Sequence, residues 1–251
     1  MKVSVNNIRF AYSGVNVLND ISFTVNDNDF ISILGPNGSG KSTLIKCINR
    51  ILRVKHGEIL LDDRNIKSLD ARQLARIVSY VPQHTNNKNT STVYEILEMG
   101  RSPYINWRLK TADREAIDKV IEDFRLQAFV KKPFSELSGG EQQKIKIARA
   151  LVQEPQVLLL DELTNNLDLK HQVEVLSLLS DIVKNRKITA IMAIHDLNLA
   201  ARYSLSVLLL SNGQIVDSGR PVDVINEQNV KKVYGVDVEI VNHKGSLLLA
   251  L

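Results

Sequence analysis

The run Gly35-Pro36-Asn37-Gly38-Ser39-Gly40-Lys41-Ser42-Thr43 constrains this chain more than any other stretch. It fits G-x-x-x-x-G-K-[ST], a phosphate-binding loop that joins a strand to a helix. Both neighbours have the required pattern: Phe30-Ile31-Ser32-Ile33-Leu34 reads as a buried strand, and Leu44-Ile45-Lys46-Cys47-Ile48 carries the apolar spacing of a helix. Glycines let the backbone curl so that successive N–H groups face one anion, with the positive end of the following helix behind them. In such a loop Lys41 neutralises phosphate charge and the Ser42 hydroxyl can ligate magnesium. A glycine-rich turn that binds nothing is the alternative. The strand, the helix and the Lys-Ser register weigh against it.

A length of 251 residues admits one large core or two coupled subdomains. No apolar run approaches the roughly 18 residues of a membrane helix, and Met1-Lys2-Val3-Ser4-Val5 begins as a strand rather than a signal peptide. The single cysteine, Cys47, excludes an intrachain disulfide framework and suits a reducing compartment. Its place in the helix after the loop favours a packed thiol over a reactive one. The net charge of +4 leans basic, but Lys and Arg are scattered, with no basic arm and no aromatic-interleaved stripe. A solvated surface is expected, and no nucleic-acid partner.

Residues 1–34 read as antiparallel strands, with a turn at Ser13-Gly14 and Tyr12 at a strand end. The helix after the loop is expected to run to residues 50–55. Strands at 58–61 and 77–82 then flank a short polar helix near 69–75. Residues 85–90 form a polar linker. After it, Thr92 with Glu95 makes a capping box opening a helix over 93–100, and Thr111 or Asp113 can cap another over 116–124. Residues 84–153 read as a helical subdomain inserted between 1–83 and 154–251, which form an α/β core.

Ser138-Gly139-Gly140-Glu141 fits S-x-x-E, so it is at least a helix start. The two glycines are poor helix formers that would let something approach the exposed N–H groups, making a second anion site. Both readings stay open on these residues alone. Val157-Leu158-Leu159-Leu160 reads as a parallel strand buried on both faces, delivering Asp161 and Glu162 at its carboxyl end. Behind a phosphate loop, Asp161 would hold magnesium and Glu162 would polarise the attacking water. Residues 188–194 form another buried strand ending at His195, whose imidazole is either structural or a partner for a phosphoryl oxygen. A hairpin turning at Asn212-Gly213, two short helices and a strand pair around His243-Lys244-Gly245-Ser246 finish the chain.

Across essentially its whole length this set resembles the ATP-binding subunit of ABC transporters. The phosphate loop corresponds to residues 35–43, and Leu137-Ser138-Gly139-Gly140-Glu141 to the ABC signature. The Walker B strand would be 157–162, the D-loop Asn165-Asn166-Leu167-Asp168, the switch histidine His195, the Q-loop glutamine Gln83 and the adenine-stacking aromatic Tyr12. The resemblance implies an α/β fold: a P-loop NTPase (RecA-like) core with an antiparallel β subdomain and an inserted helical subdomain. It further implies ATP with Mg2+ held by Ser42, Gln83 and Asp161, and a head-to-tail homodimer in which each ATP meets the partner's signature. Integral-membrane permease subunits, an extracytoplasmic substrate-binding protein and a peripheral place on the cytoplasmic membrane face follow in the same way. The segments at 92–104, 195–203 and 233–236 are similar to those of iron–siderophore, haem and cobalamin importers. Leu163 departs from the family's usual proline and Leu205 from its common aspartate. An ABC ATPase outside transport, such as the iron–sulfur assembly type, an exporter, and a non-hydrolysing regulatory module are the rivals.

Overall fold

The structure, a computed structural model, describes residues 1–83, 90–165, 167–243 and 246–250. Most of the linker expected at 85–90, Asn166 of the expected D-loop, and the turn residues Lys244 and Gly245 lie outside the described residues.

Strands β1 (Val3–Tyr12) and β2 (Val15–Val25) form an antiparallel hairpin, closed where Tyr12 pairs with Val15. Ser13 and Gly14 both take positive φ, 45° and 88°, the geometry of the tight hairpin turn that matches strand twist. β4 (His56–Leu61) and the two-residue β5 (Arg64–Asn65) complete this sheet in the order β2-β1-β4-β5. The strand β3 (Phe30–Leu34) leaves it, correcting the antiparallel reading of residues 1–34. It lies parallel to both β8 (Thr189–Ala193) and β9 (Ser206–Ser211). A strand buried at every residue has no solvent face to offer, so it takes an interior place between distant partners.

The second sheet has the order β10-β9-β3-β8-β7-β6, with β6 at Val78–Val81, β7 at Val157–Asp161 and β10 (Gln214–Gly219) antiparallel to β9. Alternation along its strands divides the core in two. Ile31 and Ile33 of β3, Val157 and Leu159 of β7, and Ile191 of β8 face helix α1 (Lys41–Ile48) and the antiparallel sheet. Phe30, Leu34, Leu158, Leu160 and Met192 face the larger cluster, which takes in the helices that follow β6. Cys47 is buried in the first cluster, where burial pushes its thiol up to about 12.

Helix α1 stops at Ile48, earlier than expected. Arg50 turns to φ 55°, and its guanidinium donates to the carbonyls of Ile66 and Leu69 (2.8 and 2.5 Å). That tertiary capture replaces another helical turn, and no glycine marks it in the sequence. Helix α2 (Ala71–Ile77) follows, then α3 (Val93–Met99), opened by the expected Thr92–Glu95 capping box. Helix α4 (Thr111–Asp123) begins at Thr111, which is therefore inside the helix rather than its cap. Asp113 accepts from the Lys110 amide and from Arg101 Nε, both at 2.9 Å. Helix α5 (Gly139–Val152) packs against α3 and α4. Helices α6 (Leu169–Arg186), α7 (Leu197–Tyr203), α8 (Pro221–Val224) and α9 (Glu227–Tyr234) and the hairpin β11 (Glu239–His243)–β12 (Ser246–Ala250) complete the described fold. Leu163 is fully buried in the larger core cluster, which gives a packing reason for leucine where the family resemblance expects proline.

Candidate nucleotide site

Gly35 ends β3 at φ 148°, and a Cβ there would lie 2.1 Å from the Leu210 carbonyl oxygen of the neighbouring strand. Gly38 and Gly40 follow at φ 80° and 107°. The loop needs these conformations, and only glycine adopts them without strain. Lys41 opens α1 and is buried. Its ammonium donates to the carbonyls of Gly35 and Pro36 at 2.8 and 3.0 Å, folding the side chain back over the loop. Burial pushes the Lys41 ammonium below its ordinary value, while Glu162 and Asp161 pull the other way. Ser39 Oγ is buried without a hydrogen-bond partner in the same loop. A buried hydroxyl left unpaired in a glycine-turned loop fits an anion with acceptor oxygens.

Parallel pairing carries the acids to this loop. β7 lies two places from β3, with β8 between them, so Asp161 emerges at the same sheet end as the loop. Ser42 Oγ donates to Asp161 Oδ1 at 2.6 Å, and the Tyr80 hydroxyl donates to Asp161 Oδ2 at 3.1 Å. Burial and the Asp161 charge raise the Tyr80 phenol well above its ordinary value, so it remains a donor. Glu162 sits one residue on, at φ 50°, a left-handed conformation that costs a glutamate about 1–3 kcal/mol and that recurs at functional sites. Three side chains hold its carboxylate. Gln83 Nε2 donates to Oε2 at 2.5 Å, Asn165 Nδ2 to the same oxygen at 2.6 Å, and His195 Nε2 lies 2.6 Å from Oε1. Glu162 is largely buried while His195 is one-third exposed, so the cluster opens to solvent on the histidine side.

The structure thus pairs Ser42 with Asp161 and sets Gln83 and His195 on Glu162, at the sheet end where Lys41 opens the helix after the loop. Oxygen donors from Ser42, Asp161 and Gln83 fit magnesium, which usually takes one or two carboxylates plus waters and substrate phosphates. Among the described residues no cluster of three His, Cys, Asp or Glu groups offers an all-protein metal cage. Tyr12 lies 43% exposed on the antiparallel sheet, its ring edge-on to Phe10 at 4.9 Å. If Tyr12 is the adenine-stacking residue that the family resemblance implies, replacing it with alanine should weaken nucleotide affinity about tenfold, read by fluorescent-nucleotide titration.

The Leu137–Glu141 group stays apart from these residues. Ser138 caps α5 in a capping box with Glu141, whose carboxylate accepts from the Ser138 amide and hydroxyl, both at 2.8 Å. These bonds hold the Glu141 carboxyl below the usual range. A Cβ on Gly139 would meet nothing within 4 Å, whereas one on Gly140 would meet His171. Asp168 caps α6 by accepting from the His171 amide at 2.9 Å. Tyr80 and Asn165 were not singled out in the sequence as contacts of the acids. The Tyr80 contact requires knowing that β6 pairs with β7, though Asn165, three residues past Glu162, sits at turn spacing.

A family model for the ABC transporter matches residues 18–165. The chain belongs to the ABC transporter family. A Methanocaldococcus jannaschii ABC transporter ATP-binding protein is 50% identical, over 98% of this chain and 96% of its own. The petrobactin import ATP-binding protein of Bacillus anthracis is 35% identical, over 95% of this chain and 88% of its own. Among solved structures, a transporter assigned to the metal-chelate type, in an inward-facing conformation, superposes with TM-score 0.85 at 29% identity, over 98% of this chain and 94% of that one. A dimeric cassette in a post-hydrolysis state with ADP and Pi gives TM-score 0.76 at 26% identity, over 87% and 98%. The fold is the P-loop cassette expected from the sequence, and the chain is an ATP-binding, ATP-hydrolysing ABC subunit.

Proposed function

We propose that this subunit energises an ABC importer of a metal chelate, in the range of iron–siderophore, haem or cobalamin, from the cytoplasmic face of the membrane. The observation that carries its catalytic half is the Glu162 carboxylate, held by Gln83, Asn165 and His195 beside the Ser42–Asp161 pair. Lys41 and the turned amides of 35–43 bind the phosphates, and Tyr12 stacks on adenine. Glu162 takes the proton of the attacking water, and His195 orients the γ-phosphoryl oxygen. Ser42, Asp161 and Gln83 would hold a magnesium ion, which would supply charge neutralisation on the phosphates.

Two copies meet head to tail, so that Leu137, Ser138, Gly139, Gly140 and Glu141 of one cap the ATP of the other. The open space around Gly139 supports this, because no described residue lies within 4 Å of a Cβ built there. Asp168 lies at the same junction. Closure is transmitted through Gln83 to residues 84–153, acting as a subdomain that grips permease subunits. No helix among the described residues is long and apolar enough to cross a membrane, so a separate permease supplies the path, with an extracytoplasmic binding protein delivering cargo. The importer reading is supported by the petrobactin relative and the metal-chelate-type structure.

The test is a pull-down from native membranes with Glu162→Gln protein and ATP, followed by chelate uptake in cells lacking the subunit. Recovery of a polytopic permease and loss of chelate uptake are the expected results. Recovery of soluble partners alone sinks the importer reading.

A further inference from the structure

His171 is a residue that the catalytic scheme does not use, yet it touches two of its parts. On the first turn of α6 its Nδ1 lies 2.7 Å from Asp168 Oδ1, and its amide donates to the same oxygen. These two bonds hold the Asp168 carboxyl below its usual range, so it accepts and Nδ1–H donates. The opposite edge of the ring faces α5. A methyl built on Gly140 would lie 2.5 Å from His171 Cδ2 and 3.1 Å from Nε2. A separation below about 3 Å forces one of the two groups to shift, so the ring keeps its present position, bonded to Asp168, only beside a glycine. The ring stands in the wall of a cavity of about 430 Å³ between α4, α5 and α6, so no packed core sets its position. The next residue extends the grip. Gln172 Nε2 donates to the carbonyls of Thr164 and Leu167, both at 3.1 Å, on the loop that leaves Glu162.

We propose that His171 is a positioning residue, a strut that sets the spacing between the Asp168 loop and the Ser138–Glu141 helix start so that the two move as one unit. Its effect on hydrolysis rests on the two-copy reading above, in which both elements face the partner's nucleotide. It acts through Asp168 and Gly140 and does not itself reach the phosphates. It also assigns different reasons to the two glycines: Gly140 is small because of His171, and Gly139 because of what approaches from outside the chain.

A double-mutant cycle in steady-state ATP hydrolysis tests this, with His171→Ala, Gly140→Ala and the double variant. Thermal unfolding of all three variants accompanies the kinetics, so that rates are compared only between folded proteins. Each single change is expected to lower kcat about tenfold with KM for ATP within about twofold, since the phosphate loop is untouched. The double variant should lose no more than either alone, and His171→Gln, which keeps a donor for Asp168, should recover part of the rate. Activity of the double variant exceeding the product of the single losses by about threefold or more supports the strut, and anything less overturns it. ATP-dependent dimerisation of Glu162→Gln protein is measured alongside. A coupled cycle without dimerisation sinks the two-copy reading alone, and an additive cycle with dimerisation sinks the strut alone.

Discussion

Glu162→Gln is expected to lower kcat for ATP by about 10²–10⁴-fold while leaving ATP affinity nearly intact. The substitution keeps the shape of a side chain whose oxygens engage Gln83, Asn165 and His195. It removes the group that accepts a proton, and an amide nitrogen would face donors where an oxygen now accepts. The phosphate contacts proposed above fall to other residues, Lys41 and the loop glycines, and Lys41 bonds the Gly35 and Pro36 carbonyls rather than Glu162. Phosphate release and equilibrium nucleotide binding, measured on the same preparation, separate the two effects. Hydrolysis within about twofold of wild type would remove Glu162 from the role of base. His195→Ala deletes only one of the three partners of the carboxylate, so its loss should fall short of that of Glu162→Gln.

Arg101→Ala should destabilise the fold by about 3–5 kcal/mol, the usual penalty for leaving half of a buried ion pair behind. Arg101 and Asp113 side chains are each only 5% exposed. Arg101 also donates to the Val152 carbonyl at 2.8 Å and to Glu154 at 2.7 Å, and its guanidinium lies 4.1 Å from the Tyr104 ring centroid. One side chain therefore ties the end of α3, the first turn of α4 and the end of α5. Burial alone would raise the Asp113 carboxyl, but the Lys110 amide and Arg101 together hold it below its ordinary value. A depressed carboxylate contributes stability above its unfolded value and loses it as pH falls through the folded one. The deficit of Arg101→Ala should therefore be full near neutrality and narrow below about pH 4. Urea denaturation at pH 7 and below pH 4 checks both. A loss under about 0.5 kcal/mol at pH 7 would mean that Asp113 finds another partner.

The glycine-lysine loop, the capping boxes at Thr92 and Ser138 and the buried strand ahead of Asp161 were all legible, because each is a local pattern. Loop glycines, cap residues and apolar runs act within a few residues of themselves, and their physics does not depend on what lies across the molecule. The helix boundary at Ile48 differs from the expected one for the converse reason: Arg50 reaches Ile66 and Leu69, and neither is visible in a local window. At the start of α4 the difference is one of register, because Asp113 bonds the Lys110 amide from the third helical position rather than capping the helix itself.

The candidate site divides along the same line. Local pattern named Lys41, Ser42, Asp161 and Glu162, each at the end of a strand or the start of a helix, and left His195 open; Gln83 came only from the family resemblance. Only tertiary structure decided that Ser42 and Tyr80 bond Asp161 while Gln83, Asn165 and His195 bond Glu162 one residue on. Parallel pairing among β3, β8, β7 and β6 brings those strand ends together, and parallel strands meet only through long crossovers. Likewise the sequence marks two glycines after Ser138 without distinguishing them. The fold does distinguish them, because α6 places the His171 ring against Gly140 and leaves Gly139 open.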